Sequence, residues 1–586
     1  MKVKSVHIRN YRSLKDVTVN LQDYTCLIGR NDSGKSSFLY ALRLLFDPES
    51  QFEDNDLCKI EAVDGQECFI EATLEHKSPD SDDTKIIRIR RLLSDRYRWE
   101  ILGRVPKHIA FKMMQAGTLT KDVYNSDSVI NDAVKSIIGT LPPGKVKSEY
   151  WKANFQMLDE AGMIDNENGW EPLNPDDLGQ YVKPIFLRAD VKAEDEVSDK
   201  GSAIFSQIGG LLMEEAIQNH PELQKALTNL KAAIDNISSK DEFGMWTIGT
   251  LNRLQELLQE EITSFDSAVT VSTNIVAPRM QSVNFGISLD VSDEWVDGLR
   301  NLGHGLQRSV VFAMLRTLRR LREVRDDGPD SETDTKSQLH LFLVEEPELY
   351  LHPQAERQRM QDLVKLSDYP NAQVALCTHS AFFVDLSHYK GILRFERPDR
   401  KSTIIHSWDG AELNPTDKKT LDTTYHFDPT RAAMLFADKV ILVEGQTEKV
   451  TVPPLADRMG LTTDGVEVVD CGGNGSIPTY QRVLEEFDVK YVAWFDDKEK
   501  TEVKRGIEVR TLENGRIVLT DKNWEHMAKL SGDKDKPYHS WLKYIYNEEE
   551  PNKDMKDRIT AAYNWYDYPS SKRVKRKGEE LDELPI

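Results

Sequence analysis

Long apolar runs are missing from this sequence, and their absence disfavours one class of protein at the outset. No window approaches the ~18 consecutive apolar residues that a transmembrane helix needs, which argues against a transporter within this single polypeptide. The opening segment MKVKSVHIRNYRSL lacks the apolar centre of a signal peptide and is typical of a short strand. We therefore expect a cytoplasmic protein with no membrane partner.

The sequence also has few cysteines, and its net charge is negative. The five cysteines show no C-x-x-C spacing, so neither a zinc site nor a disulfide framework is indicated: Cys26, Cys58, Cys68, Cys377 and Cys471. A net charge of −22 disfavours a protein that coats nucleic acid by bulk electrostatics, although a local basic patch with metal ions could still hold DNA. With 586 residues, the chain should contain several domains.

The segment LHLFLVEEPELYLHPQ organises the middle of the chain. Its apolar run, 341–344, predicts a central parallel strand that is buried on both faces. Two carboxylates, Glu345 and Glu346, follow at the strand end, where ligands bind in open α/β sheets. An ATPase needs one such acid to hold Mg²⁺ and another to polarise the attacking water, and we assign these roles to Glu345 and Glu346 respectively.

A phosphate-binding loop is predicted upstream in CLIGRNDSGKSSFLYALRLLF. The pattern G-x-x-x-x-G-K-[ST] has an apolar strand before it and an amphipathic helix after it, which is the required context. Backbone amides would surround the phosphates, Lys35 would reach the β and γ phosphates, and the Ser36 hydroxyl would bind Mg²⁺. The candidate ATP-binding residues of this loop are Gly29, Asn31, Gly34, Lys35, Ser36 and Ser37.

Two further segments could contact a nucleotide. The glycine-rich segment LGHGLQ precedes a predicted helix that begins near Gln307, and such a helix start can bind an anion through Gly303, Gly305 and Gln307. The apolar run 374–377 predicts a strand next to the one that carries the acids, and His379 follows it. We interpret His379 as a residue that contacts the γ-phosphate.

A second set of acids follows two strands near the C-terminus. The run 440–443 ends at Glu444, and Glu448 lies in the first turn of the next helix. Downstream, the run 491–495 ends at Asp496 and Asp497. Carboxylates at neighbouring strand ends can hold one or two divalent ions, the arrangement that cleaves phosphodiesters, so Glu444, Glu448, Asp496 and Asp497 are candidate metal ligands and catalytic residues.

The order of these segments resembles a known family. IRNYRS, GRNDSGKS, LGHGLQ, FLVEEPELYLHP, CTHS and FADKVILVEGQTE together are similar to the OLD (overcoming lysogenization defect) family of ATP-dependent nucleases. The resemblance implies an α/β fold in which an ABC-type, SMC/RecF-like ATPase head with an inserted helical dimerisation domain precedes a Toprim domain. It also implies ATP, and Mg²⁺, Mn²⁺ or Ca²⁺ at both sites, a DNA substrate and a homodimer or higher homo-oligomer.

The same resemblance suggests a role in anti-phage defence and sets the expected domain limits. Relatives work in Gabija systems beside a helicase-like protein, or as retron effectors beside a reverse transcriptase and its small DNA. The predicted domains are 1–192 and 268–410 for the two parts of the ATPase, 193–267 for the helical insertion, and 411–586 for the Toprim domain with a basic tail. The spacing of apolar residues along the predicted helices of the insertion leaves open whether it packs on its own head or forms a dimerisation arm.

Several roles follow from the resemblance alone, and two positions depart from the family. The IRNYRS start implies that Arg12 contacts the nucleotide. In the second half of the chain, the resemblance implies that Glu525 binds metal and that Lys536 stabilises charge on the scissile phosphate. The LGHGLQ signature would complete the nucleotide site of a partner head, but His304 stands where the family commonly has serine. A Toprim domain usually carries D-x-D, whereas this chain has DDKE, so either Asp496 with Asp497 or Asp497 with Glu499 binds metal.

The tail and the rival functions complete the predictions. The C-terminal tail has four aromatic residues before a basic run, 572–577: Tyr563, Trp565, Tyr566 and Tyr568. This mixture suits DNA contact by stacking and phosphate pairing, although a solvated charge run is the alternative. One rival function is an SMC/RecF-like repair ATPase with a non-catalytic Toprim module. Another is a Toprim topoisomerase or primase, of which the former needs a tyrosine that attacks the DNA strand.

Overall fold

The computed structural model forms two compact units, Met1–Ala189 together with Ser337–Ile586, and Asp190–Lys336. It describes residues 1–53, 56–58, 67–77, 84–93, 98–115, 117–130, 132–139, 141–142, 146–189, 338–410, 412–427, 429–496, 515–520 and 536–564, with isolated positions between 225 and 317. The predicted helical insertion, 193–267, lies almost wholly outside these ranges and stays a prediction. No helix in the described ranges has the length and apolar character to cross a membrane.

Within residues 1–189, the described ranges contain eight strands and five helices. The strands are β1 (Lys2–Tyr11), β2 (Leu14–Asn20), β3 (Tyr24–Gly29), β4 (Phe69–Lys77), β5 (Thr84–Leu92), β6 (Trp99–Pro106), β7 (Asn166–Pro172) and β8 (Val182–Leu187). The helices are α1 (Lys35–Phe46), α2 (Ile109–Gln115), α3 (Lys121–Ser126), α4 (Asp132–Ile138) and α5 (Ser148–Glu160). The last four helices pack around the fully buried Trp151, an arrangement that showed no clear pattern in the sequence.

The described part of residues 337–586 supplies a further set of strands and helices. The strands are β9 (Leu339–Glu345), β10 (Ala372–Cys377), β11 (Ile392–Glu396), β12 (Ile404–Ser407), β13 (Lys439–Val443), β14 (Val466–Asp470), β15 (Lys490–Asp496) and β16 (Gly515–Thr520). The helices are α6 (Pro353–Ser367), α7 (Pro415–Phe427), α8 (Gln446–Arg458), α9 (Ile477–Glu486), α10 (Lys536–Trp541) and α11 (Lys553–Tyr563). A 3₁₀ segment, Pro429–Phe436, leads into β13.

Three sheets organise the larger unit. The first is β2-β1-β4-β5-β6-β7 with antiparallel neighbours, and β4 and β5 are its two central strands. The second is β12-β11-β3-β10-β9-β8, in which β9 lies between β8 and β10 and runs parallel to both. This confirms the predicted central parallel strand. The third sheet, β14-β13-β15-β16, is wholly parallel.

Apolar side chains explain why these strands lie where they do. All residues of β3, β10 and β13 are buried, as expected for strands covered on both faces. The first two sheets share one hydrophobic core with α1, and the third sheet has a separate core with α8 and α11. The mixed α/β architecture agrees with the fold class expected from the sequence.

Polar contacts connect the second and third sheets within the larger unit. Arg30, in the loop after β3, forms an ion pair with Asp438, which precedes β13. Arg394 on β11 donates from Nη1 to the backbone oxygen of Phe487 at 3.2 Å, at the end of α9. The β11–β12 hairpin therefore contacts the third sheet's domain directly.

Candidate nucleotide and metal sites at two sheet edges

The loop between β3 and α1 has the backbone of a phosphate-binding loop. Gly29 has φ 138° and Gly34 has φ 105°, values that only glycine adopts easily. A Cβ at Gly29 would lie 2.2 Å from the Phe395 oxygen, and one at Gly34 would lie 2.5 Å from Thr403 Oγ1. Both glycines therefore make room for close packing as well as for the turn.

Lys35 lies inside this loop. Its Nζ donates to the backbone oxygens of Gly29 at 2.9 Å and Arg30 at 2.8 Å. Burial lowers the pKa of the Lys35 ammonium, and the nearby Cys377, Glu346 and Glu348 act against that shift. The ammonium is thus held at the edge of the second sheet, among groups that come from β9 and β10.

The remaining loop residues are accessible. Asn31 is exposed, and Ser36 and Ser37 are half-buried in the first turn of α1. Ser36 therefore has the position from which a hydroxyl can bind a cation beside a phosphate, and its role stays a prediction.

Hydrogen bonds from Thr403 to Ser13 and Ser33, which we call the Thr403 brace, hold the phosphate loop in place. The sequence did not predict them. The Thr403 hydroxyl lies 2.8 Å from Ser13 Oγ and 2.8 Å from the backbone oxygen of Ser33. The Thr403 amide also donates to the Ser13 oxygen at 2.8 Å. Residues separated by 390 positions in the chain thus meet at the phosphate loop.

Arg12 lies next to this brace but is engaged with protein groups. Its Nε donates to Asp56 Oδ1 at 2.8 Å, and its guanidinium lies over the rings of Tyr11 and Tyr40 at 5.3 and 5.2 Å. Tyr40 belongs to α1, the helix that begins at the loop. Arg12 is therefore anchored beside α1, and its proposed contact with the nucleotide stays a prediction.

The acid pair follows β9 as predicted. Glu345 Oε2 accepts a hydrogen bond from the Ala189 amide at 3.3 Å. Glu346 has φ 44°, and its amide donates to the Cys377 oxygen on β10 at 2.9 Å. This sharp turn directly after the strand keeps Glu346 within electrostatic reach of Lys35. The second sheet thus brings the predicted acid and the predicted lysine together.

A third acid, Glu348, joins them and was missed in the sequence. Its carboxylate accepts a hydrogen bond from the His379 amide at 2.6 Å, and its Oε2 is buried with no hydrogen-bond partner among the described residues. Burial raises the pKa of the Glu348 carboxyl, against the effect of the His379 amide. Its position two residues after Glu346 in EEPE was the available signal.

His379 lies where the sequence predicted, immediately beyond β10. Partial burial and the charge of Lys35 both lower the pKa of His379, although its side chain remains exposed. The imidazole is therefore neutral at neutral pH and within electrostatic reach of the loop lysine. This placement suits the proposed contact with a terminal phosphate.

The glycine-rich signature belongs to the smaller unit. Gly305 and Gln307 are both helical, so the helix starts earlier than Gln307, and Ser309 Oγ donates to the Gly305 oxygen at 3.0 Å. Gly303 and His304 lie outside the described residues. The predicted role of this signature in a partner's nucleotide site stays a prediction.

Our first prediction concerns the replacement of Gly34 by alanine, which adds a Cβ to the phosphate loop. Gly34→Ala should lower nucleotide affinity at least about tenfold, because the new methyl meets Thr403 Oγ1 and the Ser13 hydroxyl at a φ that costs a non-glycine residue ~1–3 kcal/mol. Fluorescent ATP titration measures the effect. Gly139→Ala is the matched control, since Gly139 has φ 71° and nothing lies within 4 Å of its added Cβ. Equal affinities in the two variants would contradict the assignment.

The second candidate site lies at the C-terminal edge of the third sheet. Glu444 follows the fully buried β13, and Glu448 lies in the first turn of α8, with Oε2 3.8 Å from the position of a Cβ on Gly445. The Glu444 backbone oxygen accepts from the Gly473 amide at 2.7 Å, in the glycine turn after β14. Both residues are half-buried and lie at the C-terminal end of a parallel strand.

The backbone register brings the Asp496 position to the same edge. Val443 on β13 pairs with Trp494 on β15, so Glu444 is level with 495 and Asp496 extends one position further. The side chain of Asp496 and the whole of Asp497, Glu499 and Glu525 lie outside what the structure describes. The choice between the two acid pairs therefore stays open, and a metal-binding role for Glu525 stays a prediction.

Two basic residues lie near this edge. Lys536 begins α10, which packs on α8 through a 2.9 Å contact between Ser540 Oγ and Thr451 Oγ1. Arg431 was missed: its Nη2 lies 3.7 Å from Asp470 Oδ2, and a Cβ on Gly472 would lie 3.9 Å from its Nη1. Arg431 thus brings positive charge to the glycine turn that holds Glu444.

One aromatic residue of the tail has a different role from the expected one. Tyr563 was grouped with residues that could stack on DNA, but it is the last residue of α11, is 6% exposed and belongs to the core of the third sheet. Its backbone oxygen accepts a hydrogen bond from Lys439. The apolar period of α11 should have placed Tyr563 inside. Residues 565–586 lie outside the described ranges.

Comparisons with known proteins assign families to the two parts of the chain that carry these sheet edges. Residues 1–384 match the AAA ATPase domain family, and residues 435–497 match the TOPRIM domain of Overcoming lysogenization defect protein-like proteins. The Old nuclease of Escherichia phage P2 is 24% identical over 84% of this chain and 76% of its own length. The OLD nuclease of Thermus scotoductus is 23% identical over 84% and 82%, and Endonuclease GajA of Bacillus cereus is 21% identical over 78% and 68%.

Proposed function

Because the chain belongs to the AAA ATPase domain family and carries an OLD-like TOPRIM domain, we propose that it is an ATP-dependent nuclease that cleaves DNA. The observation that carries the proposal is the acidic edge of the third sheet. Glu444 and Glu448 lie at the C-terminal end of a buried parallel strand, and the Asp496 backbone extends the adjacent strand to the same edge. Relatives named as nucleases align over most of the chain, which supports the same reading.

The residues of the first edge fit ATP. The phosphate loop has two glycines whose Cβ positions are closed by neighbours, Lys35 lies within the loop, and Glu346 and His379 lie within electrostatic reach of Lys35. In this role Lys35 binds the terminal phosphates and Ser36 and Glu345 hold the cation. Glu346 orients the attacking water and accepts its proton. Neutral His379 contacts the γ-phosphate, and half-buried Glu348 fixes the segment that carries it through the 2.6 Å bond.

The residues of the second edge fit divalent cations. Half-buried carboxylates at the end of a parallel strand are hard oxygen ligands of the kind that Mg²⁺, Mn²⁺ and Ca²⁺ prefer. Such cations supply an activated water and charge neutralisation when bound. Glu444 and Glu448, with Asp496 or Asp497, would hold them, while Lys536 and Arg431 would pair with phosphate oxygens of the DNA strand.

The cellular role and the assembly form part of the same proposal. Similarity to Endonuclease GajA supports an anti-phage defence nuclease, and a helicase-like protein or a reverse transcriptase with its small DNA are the partners to test. A homodimer would let Gly303, Gly305 and Gln307 complete the partner's nucleotide site. Such a dimer would place two acidic Toprim edges in one particle.

Supercoiled plasmid tests the proposal. The purified chain should convert it to nicked or linear DNA in Mg²⁺ or Mn²⁺, with a rate that changes when ATP is added, and EDTA should stop the reaction. Agarose gels resolve these products.

Other products would favour the rival functions. Relaxed closed circles would indicate a topoisomerase. Uncut plasmid under every nucleotide and metal condition would overturn the nuclease assignment and favour a repair ATPase with a non-catalytic Toprim module.

A further inference from the structure

Three metal-binding side chains converge outside both edges, where the β11–β12 hairpin meets the TOPRIM half. Glu396 ends β11, His406 lies on β12, and Asp488 lies in the turn between α9 and β15. One ligand atom from each lies within 4.8 Å of the others. His406 Nε2 lies 3.4 Å from Glu396 Oε2 and 3.9 Å from Asp488 Oδ2. Three elements from two domains thus contribute to one cluster.

The 3.4 Å separation between His406 Nε2 and Glu396 Oε2 fits two ligands of a shared cation better than a direct hydrogen bond, whereas the 3.9 Å separation between His406 Nε2 and Asp488 Oδ2 is longer than in an ideal tetrahedral site. Zinc lies ~2.0–2.2 Å from nitrogen and oxygen ligands, so neighbouring ligand atoms of a tetrahedral site are roughly 3.3–3.6 Å apart. A hydrogen bond would instead bring the atoms to about 2.7–3.2 Å. His406 Nε2 is buried and has no hydrogen-bond partner among the described residues. An ion of this size would satisfy it.

The charge around the cluster favours a cation. Two carboxylates face one guanidinium, that of Arg394, whose Nη1 donates to Glu396 Oε2 at 3.0 Å. Arg394 also donates to backbone oxygens of Leu435 and Phe487, so part of its charge is directed elsewhere. The Glu396 oxygen that accepts the hydrogen bond from Arg394, Oε2, is also the one that lies 3.4 Å from His406 Nε2, so a bound ion would share Glu396 with Arg394. With a neutral imidazole, the group carries a net charge of about −1, by counting its ionised side chains.

The nitrogen ligand of the cluster comes from His406. Burial and the charge of Arg394 lower the pKa of His406, while Asp488 and Glu396 act in the opposite direction. Imidazole selects Zn²⁺, Co²⁺ and related ions over Mg²⁺, which prefers oxygen ligands. This separates the cluster chemically from the carboxylate edge of the third sheet.

We propose that Glu396, His406 and Asp488 form a binding site for a Zn²⁺-type transition-metal ion that fastens the ATPase hairpin to the TOPRIM half. Three protein ligands leave a coordination position for water. The bound ion joins β11 and β12, which border the phosphate loop through Phe395 and Thr403, to the turn before β15. Its occupancy therefore stiffens the connection between the two halves.

Cobalt titration of the metal-stripped full chain tests this site. With millimolar Mg²⁺ present to fill the oxygen sites, the wild-type chain should bind one Co²⁺ with visible d–d absorption, and Zn²⁺ should displace it. Asp488→Asn should weaken this binding at least tenfold. Asp488 has φ 52°, a conformation that asparagine adopts readily, so this variant keeps the backbone of the turn.

Two further variants make the test decisive. His406→Asn should also remove the absorption, because it deletes the imidazole ligand. Asp16→Asn is the matched control, since Asp16 Oδ1 pairs with His7 Nε2 at 2.7 Å in an exposed pair on another sheet. Wild-type stoichiometry in Asp488→Asn, or no Co²⁺ bound by the wild type, would overturn the site. The readout is metal binding, so it is independent of plasmid cleavage.

Discussion

Glu444→Gln is expected to lower plasmid cleavage by at least ~100-fold, the scale on which a charged group contributes to a phosphoryl-transfer site. Glutamine has the same shape but lacks the negative charge that a divalent cation needs. Glu444 follows a fully buried strand, and its backbone oxygen is held by the Gly473 amide at 2.7 Å, so the substitution should not move the edge. ATP hydrolysis should remain near the wild-type rate, because the change lies in the other sheet.

Glu467→Gln is the matched control for this result. Glu467 lies on β14 in the same parallel sheet and pairs with Val440, towards the opposite end from Glu444. Cleavage by this variant should stay within about twofold of the wild type, since a substitution away from the site rarely has larger effects. Comparable loss in both variants would show that the sheet, and not the acidic edge, was damaged. Full cleavage by Glu444→Gln would remove Glu444 from the catalytic set.

Lys35→Ala and Glu346→Gln are expected to abolish ATP hydrolysis by different routes. Lys35→Ala removes the ammonium from inside the phosphate loop, so nucleotide binding itself should fall at least tenfold. Glu346→Gln removes only the charge beside it, so ATP should still bind while turnover falls by ~10²–10⁴, the range for a general base. Nucleotide titration and phosphate release measured on both proteins separate binding from chemistry.

The cleavage assay extends this pair of variants. Lys35→Ala should change mainly how cleavage depends on ATP, because the acidic edge of the third sheet is intact. Glu171→Gln is the control, since Glu171 is half-buried on β7 and accepts a hydrogen bond from Gln115. If Glu346→Gln hydrolysed ATP at the rate of this control, the catalytic role of Glu346 would be wrong.

Local patterns predicted the elements that carry the chemistry. The apolar runs before Gly29, Glu345 and Glu444 are visible in the sequence because a strand buried on both faces is apolar throughout. Their acids and glycines then follow at the strand ends, where the structure has them. Because β13 and β15 are parallel neighbours, their C-terminal ends lie at one edge of the sheet, and the predicted acid positions that follow them lie there too.

Contacts between distant segments could not be predicted in this way. Thr403 and Ser13 close on Gly34 from positions far apart in the chain; Thr403 has no motif of its own, and the IRNYRS motif that ends at Ser13 does not indicate this contact. Arg431 reaches the glycine turn because the segment before β13 folds over the sheet, which no periodicity encodes. Glu348 was overlooked because its neighbours Glu345 and Glu346 already met the needs of the chemistry, whereas its burial emerges only from packing.

The β11–β12 hairpin limits how this protein can be dissected. The two family matches end at 384 and begin at 435, which invites expression of separate halves. A fragment stopped at the first limit would lack β11, the strand that pairs with β3, and would lose Thr403 from the phosphate loop. A fragment begun at the second would lack Arg431 and Arg394. The intervening fifty residues therefore belong to both working parts, and neither half retains its complete site alone.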